Sequence, residues 1–475
     1  MHEPDDTASD ARWSELLTPQ FSAATTTLCL GVALFAFNGF LVSTSLPTAV
    51  REIGGLKLIS WAFTLYLVLS IVGGASGALL KGRLGPRRAL VGAAIVFLAG
   101  TLIAAFASSM TEVLVGRALQ GLGEGVIAAI CYALIPDLFP SRLVAKVFGA
   151  EAVVWAIAAF GGPLVAGLLT ETVSWRAAFL VNVPMALIFI ALVFRIVPRS
   201  ATEAAPLSVP FLRLGAIGGG IMLVALAGVM QTLTLEVLCV AGAAAVLIAV
   251  VAVDRRSRTP LFPSDAFALT STVGIGLWIV LLMPVAQAST SVYLVMTLQN
   301  LWGYGPTMAG AFSASFAVAW SSIAILVANV QDQRRRAQMI RLGPALLVTG
   351  LAVLVLGFSA DLPGVVLVGQ MSIGAGFGVS WGFLSQSVME SARDGERDRA
   401  SALLPTLQSA GYAIGAAVAG LVANAASYPQ ATSPEALRAA TMTIFAVSTM
   451  IGLAAMVAGF ALPLRRKTVF AADLS

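Results

Sequence analysis

Residues 112–136 read EVLVGRALQGLGEGVIAAICYALIP. After the first residue, Arg117 and Glu124 are the only charges in this run. Its length suits a helix crossing a hydrocarbon core ~30 Å thick. Gly116, Gly121, Gly123 and Gly125 would weaken a helix in water. In lipid, small residues let helix backbones approach closely, and the glycines read either as packing or as a sliding contact. The pattern returns at 369–379 as GQMSIGAGFGV. Gly116, Gly121, Gly123, Gly125 and Val126 coincide there with Gly369, Gly374, Gly376, Gly378 and Val379. A weaker match joins EAVVWAI (151–157) to QSAGYAI (408–414). Two neighbouring matches at nearly constant offset indicate an internal duplication.

Working outward, 58% of the 475 residues are apolar and 11% charged. A soluble domain carries roughly 25% charged residues, so lipid is the solvent this composition fits. The apolar runs lack the ~10-residue alternation of a membrane barrel. Fourteen helical spans are expected. The first six are 24–47, 58–80, 88–107, 112–136, 146–168 and 175–196. Two closely coupled spans, 211–230 and 235–253, follow. The last six are 267–292, 306–329, 341–359, 364–388, 402–425 and 440–463.

The basic residues test this division. Of 28 Lys and Arg, only Arg51, Lys57, Arg176 and Arg438 fall in loops on one side, and Arg117 lies within a span. The others gather on the opposite side, in clusters such as Lys81/Arg83/Arg87/Arg88, Arg142/Lys146 and Arg334/Arg335/Arg336/Arg341. The positive-inside rule makes that side cytoplasmic, together with both termini. It also accounts for the net charge of +5 without nucleic acid, as attraction of inner loops to anionic lipid. The organisation expected is a cytoplasmic tail (1–23), a six-helix bundle (24–196), a two-helix insertion with linkers (197–266), a second six-helix bundle (267–463) and a short tail (464–475). Cys29, Cys131 and Cys239 lie in apolar runs without metal or disulfide spacing. The only histidine, His2, is in the tail. No nucleotide loop, metal cluster or nucleophile elbow is present, so neither an enzyme nor a cofactor is expected.

Several segments carry a family resemblance. ALLKGRLGPRR (78–88) resembles the first cytoplasmic-loop motif of the major facilitator superfamily through Arg83, Gly85, Arg87 and Arg88. Gly82 stands at its usual Asp. Arg117, Gln120 and Gly121 resemble the Arg–x–x–Gln–Gly motif, and GGPLVAG (161–167) the antiporter motif, through Gly162, Pro163 and Gly167. SWRAAFLVNVP (174–184) and RTPLFPSDAF (258–267) resemble the start of the sixth helix and the segment after two extra helices. The order of these motifs is similar to that of the fourteen-helix drug:proton antiporter branch. The resemblance implies two six-helix bundles plus two inserted helices, a monomer, and a small-molecule cargo exchanged for H+ in the cell inner membrane. It also implies that Arg83, Arg87 and Arg88 latch the halves on the inner side, bonding to helix carbonyls or to acids such as Asp137. One departure is notable: NGFLVSTSLP (38–47) places Asn38 where the branch carries an Asp.

Intramembrane charges are the sharpest candidates, because burying one costs at least ~2.5–3.5 kcal/mol on insertion scales. Arg117 and Glu124 are two helical turns apart on one face. They read either as a packing network or as a proton site on a central cavity. Protonation there depends on burial, which favours the neutral acid, and on a guanidinium, which favours the charged one. Glu151, about one turn from the start of its expected span, reads as a residue snorkelling to the interface or as a proton or cation contact. By the repeat, Arg117, Glu124 and Glu151 correspond to Gln370, Phe377 and Gln408, so ion handling is expected in the first half alone. Asn38, Trp61, Tyr66, Gln120, Trp155, Trp278, Trp381, Gln408 and Tyr412 are candidates to line a cavity for flat or cationic molecules. The leading reading is proton-coupled efflux of hydrophobic or cationic small molecules. The alternatives are a narrower exporter of a metabolite, siderophore or lipid, without need of proton coupling, a membrane receptor or assembly partner, and a membrane-embedded enzyme.

Overall fold

A computed structural model describes residues 12–197, 210–230, 232–257, 260–330, 332–393 and 396–462. The outermost tails, including Arg465, Arg466 and Lys467, lie outside the described residues, as do Arg199 and Arg258. Among those described, helices alone cross the molecule and no strand is present. They are α1 (Ser22–Ile53), α2 (Ile59–Leu84), α3 (Pro86–Ala105), α4 (Met110–Leu138), α5 (Ser141–Thr172) and α6 (Trp175–Ile196). Then come α7 (Phe211–Ala227), α8 (Leu233–Arg255), α9 (Thr272–Trp302), α10 (Pro306–Val327), α11 (Gln333–Ser359), α12 (Pro363–Ser391), α13 (Arg397–Ala425) and α14 (Pro434–Ala461). Thirteen of these are long and apolar enough to cross a membrane, while α7, with 17 residues, is shorter.

Local chemistry sets the boundaries. Gly85 ends α2 at φ +79°, a backbone conformation that favours glycine. Pro86 then opens α3, where its missing N–H has no helical partner to lose. Ser109 and Thr232 cap α4 and α8 by accepting from Glu112 N and Leu235 N. Inside α9, Thr290–Leu294 widens to a π-turn.

The helices pack as two matching sets. In the first, α1 meets α4, α5 and α6; α2 meets α4; and α3 meets α4 and α6. In the second, α9 meets α12, α13 and α14; α10 meets α12; and α11 meets α12 and α14. The sets touch through α2 against α13 and α5 against α10, a pair of contacts that exchanges when the sets are exchanged. Helix α7 lies against α2 and α13, and α8 packs on α7. Buried Asp254 at the end of α8 fixes the connection onward. It pairs with Arg213 and accepts from the backbone N–H groups of Leu261 and Phe262 at 2.9–3.0 Å.

The repeated glycines sit at the tightest approaches, and the two copies do so alike. A Cβ at Gly121 would overlap the Tyr66 carbonyl of α2, and one at Gly125 that of Ser70. In the second set Gly374 and Gly378 press in the same way on the carbonyls of Phe316 and Trp320 of α10. Gly116 faces Gly100 on α3 as Gly369 faces Gly350 on α11. The duplication read in the sequence is therefore present in the packing.

Among the described residues, the bonds joining the two sets gather at the end far from the start of α1 and the finish of α14. Arg51 Nη2 donates to Gln299 Oε1 at 2.6 Å, and Thr307 Oγ1 to Glu171 Oε2 at 2.6 Å. Asn424 Nδ2 donates to the Lys57 carbonyl at 3.3 Å, and Thr64 Oγ1 to that of Ala413 at 3.4 Å.

Because α2 and α4 touch backbone to backbone, Gly125→Val is expected to lose about 1–3 kcal/mol of stability through overpacking. Gly39→Ala, with nothing within 4 Å of an added Cβ, serves as control. Thermal unfolding in detergent reads both; an unchanged midpoint for Gly125→Val would contradict the packing described.

Candidate functional site

The α2–α4 contact creates a polar centre inside an apolar bundle. Arg117, Gln120 and Glu124 project from α4, Tyr66 from α2, Asn38 from α1 and Thr101 from α3. All six are buried. The Arg117 guanidinium lies over the Tyr66 ring, 3.8 Å from its centroid. Its Nε donates to the Ala62 carbonyl at 3.1 Å and Nη1 to Gln120 Oε1 at 2.9 Å. Gln120 Nε2 passes the chain on to Thr101 Oγ1 at 3.0 Å. A planar fork that serves two acceptors and stacks on a ring satisfies a buried cation better than an ammonium would.

Tyr66 Oη donates to Glu124 Oε2 at 2.6 Å, while Oε1 has no hydrogen-bond partner. The Asn38 amide nitrogen, beside Glu124 and Tyr66, is also unpartnered. Asn38 Oδ1 accepts from Asn182 Nδ2 at 3.4 Å. A hydroxyl donates to a carboxylate or accepts from a carboxylic acid, and an amide offers both kinds of group. Glu124 thus has neighbours suited to either of its protonation states. In this conformation Glu124 is fully buried, with its neighbours on α1, α2 and α4.

The second set holds an apolar copy of this centre. Phe377 replaces Glu124 and Phe316 replaces Tyr66, their rings edge to face at 5.7 Å. Trp320 and Trp381 complete that cluster. Trp381 thus packs on Trp320 and Phe377 of the second set. Trp61 donates through Nε1 to the Ala225 carbonyl of α7, and Trp278 to that of Phe267. These two tryptophans hold the inserted helix and a loop, and neither joins the Glu124 cluster. Trp155 does approach it, packing edge to face on Phe35, which in turn stacks on Tyr66. Gln408 and Tyr412 meet each other one turn apart on α13 of the second set.

Glu151 is not near a helix end. Helix α5 starts at Ser141, five residues before the expected 146, so Glu151 lies about 15 Å along it. It is 2% exposed, and neither carboxylate oxygen has a partner. Snorkelling is thereby excluded. Arg142 and Lys146, expected in a loop, belong to the start of the same helix, where Arg142 pairs with Glu15 and Lys146 sits over the Trp13 ring.

The motif residues divide. Gly162, Pro163 and Gly167 line the α5 face that meets α1 and α10. A Cβ at Gly162 would be 2.7 Å from Phe40 Cβ, and one at Gly167 2.6 Å from Thr307 Cα. The Pro163 carbonyl faces Gly310 at equally short range. The basic loop does not bridge the sets here. Arg83 and Arg88 are exposed, and Arg87 Nε donates to the Val197 carbonyl at the end of α6, at 2.7 Å. The contact expected with Asp137 is made by Lys81, at 2.7 Å and within the first set. An apolar groove of about 840 Å³ lies between α8 and α13–α14, lined by residues such as Val237, Val240, Leu421 and Thr443, and is remote from these groups.

Sequence reading missed Thr101, Asn182, Phe35 and Tyr132. A polar side chain inside a span was available as a signal for Thr101 and Asn182. Nothing in the spacing distinguishes Phe35 from other apolar residues. Because Arg117 serves three partners at once, Arg117→Lys is expected to fall short of wild-type stability by about 1–3 kcal/mol, as lost charged hydrogen bonds predict. Thermal unfolding at matched detergent tests this; full rescue by Lys would show that charge alone is required.

Residues 28–416 match the family model described as Major Facilitator Superfamily. A protein of Mycobacterium tuberculosis named as a probable multidrug-efflux transporter is 30% identical over 461 residues, 94% of this chain and 97% of its own length. Among solved structures, a D-xylose–proton symporter aligns at TM-score 0.63 with 18% identity, covering 94% of this chain and 98% of the other. A peptide transporter solved with sulfate aligns at 0.66 with 16% identity, covering 91% and 94%. At those identities the structures speak for the fold alone. The fold, the length of the match and the order of the motifs lead to one conclusion: the chain is a multi-pass membrane transporter, not an enzyme, and belongs to the Major Facilitator Superfamily.

Proposed function

We propose that this protein exports hydrophobic or cationic small molecules by alternating access, in exchange for protons taken up at Glu124. The observation that carries this reading is the state of Glu124: a buried acid with one oxygen on Tyr66 and the other unpartnered. A buried polar group without a partner calls for an explanation, and an exchangeable proton supplies one. The twin position is Phe377, so the acid is dispensable for packing this fold. Asn38 fits the same reading. An acid there would place two carboxyl groups in one buried space, where like charges prevent both from ionising. Asn38 leaves Glu124 as the single titratable acid of the centre, on α4 instead of α1.

The segments 24–196 and 267–463 act as the two moving bodies, and within 197–266 helix α7, backed by α8, acts as a clamp beside α2 and α13. The monomer sits in the cell inner membrane with both termini cytoplasmic, and the bonded far end is then the outer gate. Arg117 holds α4 to α2 and biases the charge state of Glu124 through Tyr66. The name of the Mycobacterium tuberculosis relative supports a multidrug cargo. The second reading, a narrower carrier without proton coupling, is favoured by Asn38 and Gly82 standing where the branch has acids.

Proteoliposomes with an imposed pH gradient separate the two. Ethidium efflux is expected to collapse on adding a protonophore. Glu124→Gln is expected to lose about tenfold or more of gradient-driven efflux while retaining counterflow. Efflux driven by the gradient at wild-type rate in Glu124→Gln would overturn the proton assignment.

A further inference from the structure

The Glu124 centre leaves one buried acid unexplained. Glu151 lies on α5 between α1 and α4, with Cys29, Cys131 and Tyr132 around it. Both of its carboxylate oxygens are buried and unpartnered. The nearby basic residues are engaged elsewhere: Arg142 with Glu15, and Lys146 over the ring of Trp13. Among the described residues, no protein cation is therefore supplied to it. Among the described residues no group of His, Cys, Asp and Glu suits a metal ion.

What surrounds the acid is aromatic. Phe148 and Trp155 stand one turn before and after Glu151 on the same face of α5. Tyr132 of α4 stacks on Phe148 at 5.9 Å, and Trp155 meets Phe35 at 5.7 Å. Tyr132, Phe148 and Trp155 remain 39%, 45% and 36% exposed. Three open rings thus border a carboxylate that has no counterion. Such rings attract cations through their faces, and a buried charge is tolerated when paired. Walls this apolar favour a cation of delocalised charge, whose desolvation costs less than that of a compact ammonium.

We infer that Glu151, with Tyr132, Phe148 and Trp155, forms a subsite for a lipophilic organic cation. This rests on the transport reading above and assigns to a second acid the recognition of cargo. The row Trp155–Phe35–Tyr66 links the subsite to Glu124 by ring contacts, so cargo and proton occupy different carboxylates that share one aromatic wall.

Equilibrium binding in lipid nanodiscs, with no gradient, tests this apart from proton coupling. The probes are tetraphenylphosphonium and uncharged triphenylphosphine oxide. Wild type is expected to bind the cation, and Glu151→Gln to bind it about tenfold or more weakly. Glu151→Asp is expected to lie between them. Binding of the neutral probe is expected to change less than about twofold, which also reports that the variant is folded. The same weakening on Glu151→Gln is expected in a Glu124→Gln background, so a failed proton assignment leaves this result intact. Wild-type affinity for the cation in Glu151→Gln, or no cation binding by wild type, overturns the subsite. If Glu151→Gln does not fold, Trp155→Leu and Tyr132→Leu carry the test: each should weaken the cation and spare the neutral probe, and equal effects on both would overturn the proposal.

Discussion

Helix α4 lies so close to α2 that no side chain fits between them at Gly121 or Gly125. Lipid tails are as apolar as leucine and give helices little hydrophobic reason to associate. Close backbone contact and internal hydrogen bonds must do that work instead. The contact also brings Arg117 within reach of the Ala62 carbonyl and the Tyr66 ring. Wider spacing would leave a guanidinium unsatisfied in hydrocarbon. The polar centre and the glycine contact therefore depend on each other.

The same scaffold appears twice with different contents. Gly374 and Gly378 bring α12 against α10 as closely as their counterparts bring α4 against α2, yet the space beside them holds Phe316, Phe377 and Trp320. Packing geometry is thus common to both halves, whereas the Arg117–Tyr66–Glu124 centre is present in one. A symmetric frame with one such centre suits the proposed carrier, in which a proton biases two conformations of similar energy. The contacts between halves are of two kinds: glycine-mediated close approach of α5 and α10 at Gly167 and Gly310, and an apolar cluster of α2 and α13 around Val68, Ala410 and Ala413.

Much of the fold was legible from the sequence because lipid imposes a strong pattern. Span length, the sidedness of Lys and Arg, and the recurrence of Gly116–Val126 at Gly369–Val379 follow from constraints a linear reading detects. Helix ends were less legible: α5 begins earlier than its apolar run because Arg142 and Lys146 find Glu15 and Trp13 as partners. That shift changed the reading of Glu151 from an interfacial residue to a buried one. Of the candidate site, Arg117, Gln120, Glu124, Tyr66 and Asn38 converge as their residue types suggested. Trp61, Trp278 and Trp381 are not part of that centre: the first two indoles donate to the Ala225 and Phe267 carbonyls and the third joins an aromatic cluster, contacts that only tertiary context reveals.

Glu124 is proposed to gain and lose a proton as cargo is handled. Difference infrared spectroscopy of the protein in lipid, recorded on adding tetraphenylphosphonium, observes that event directly through the carbonyl stretch of a protonated carboxylic acid. A cargo-dependent change in that band is expected, and it is expected to vanish in Glu124→Gln. A band that ignores cargo, or that responds unchanged in Glu124→Gln, would contradict it.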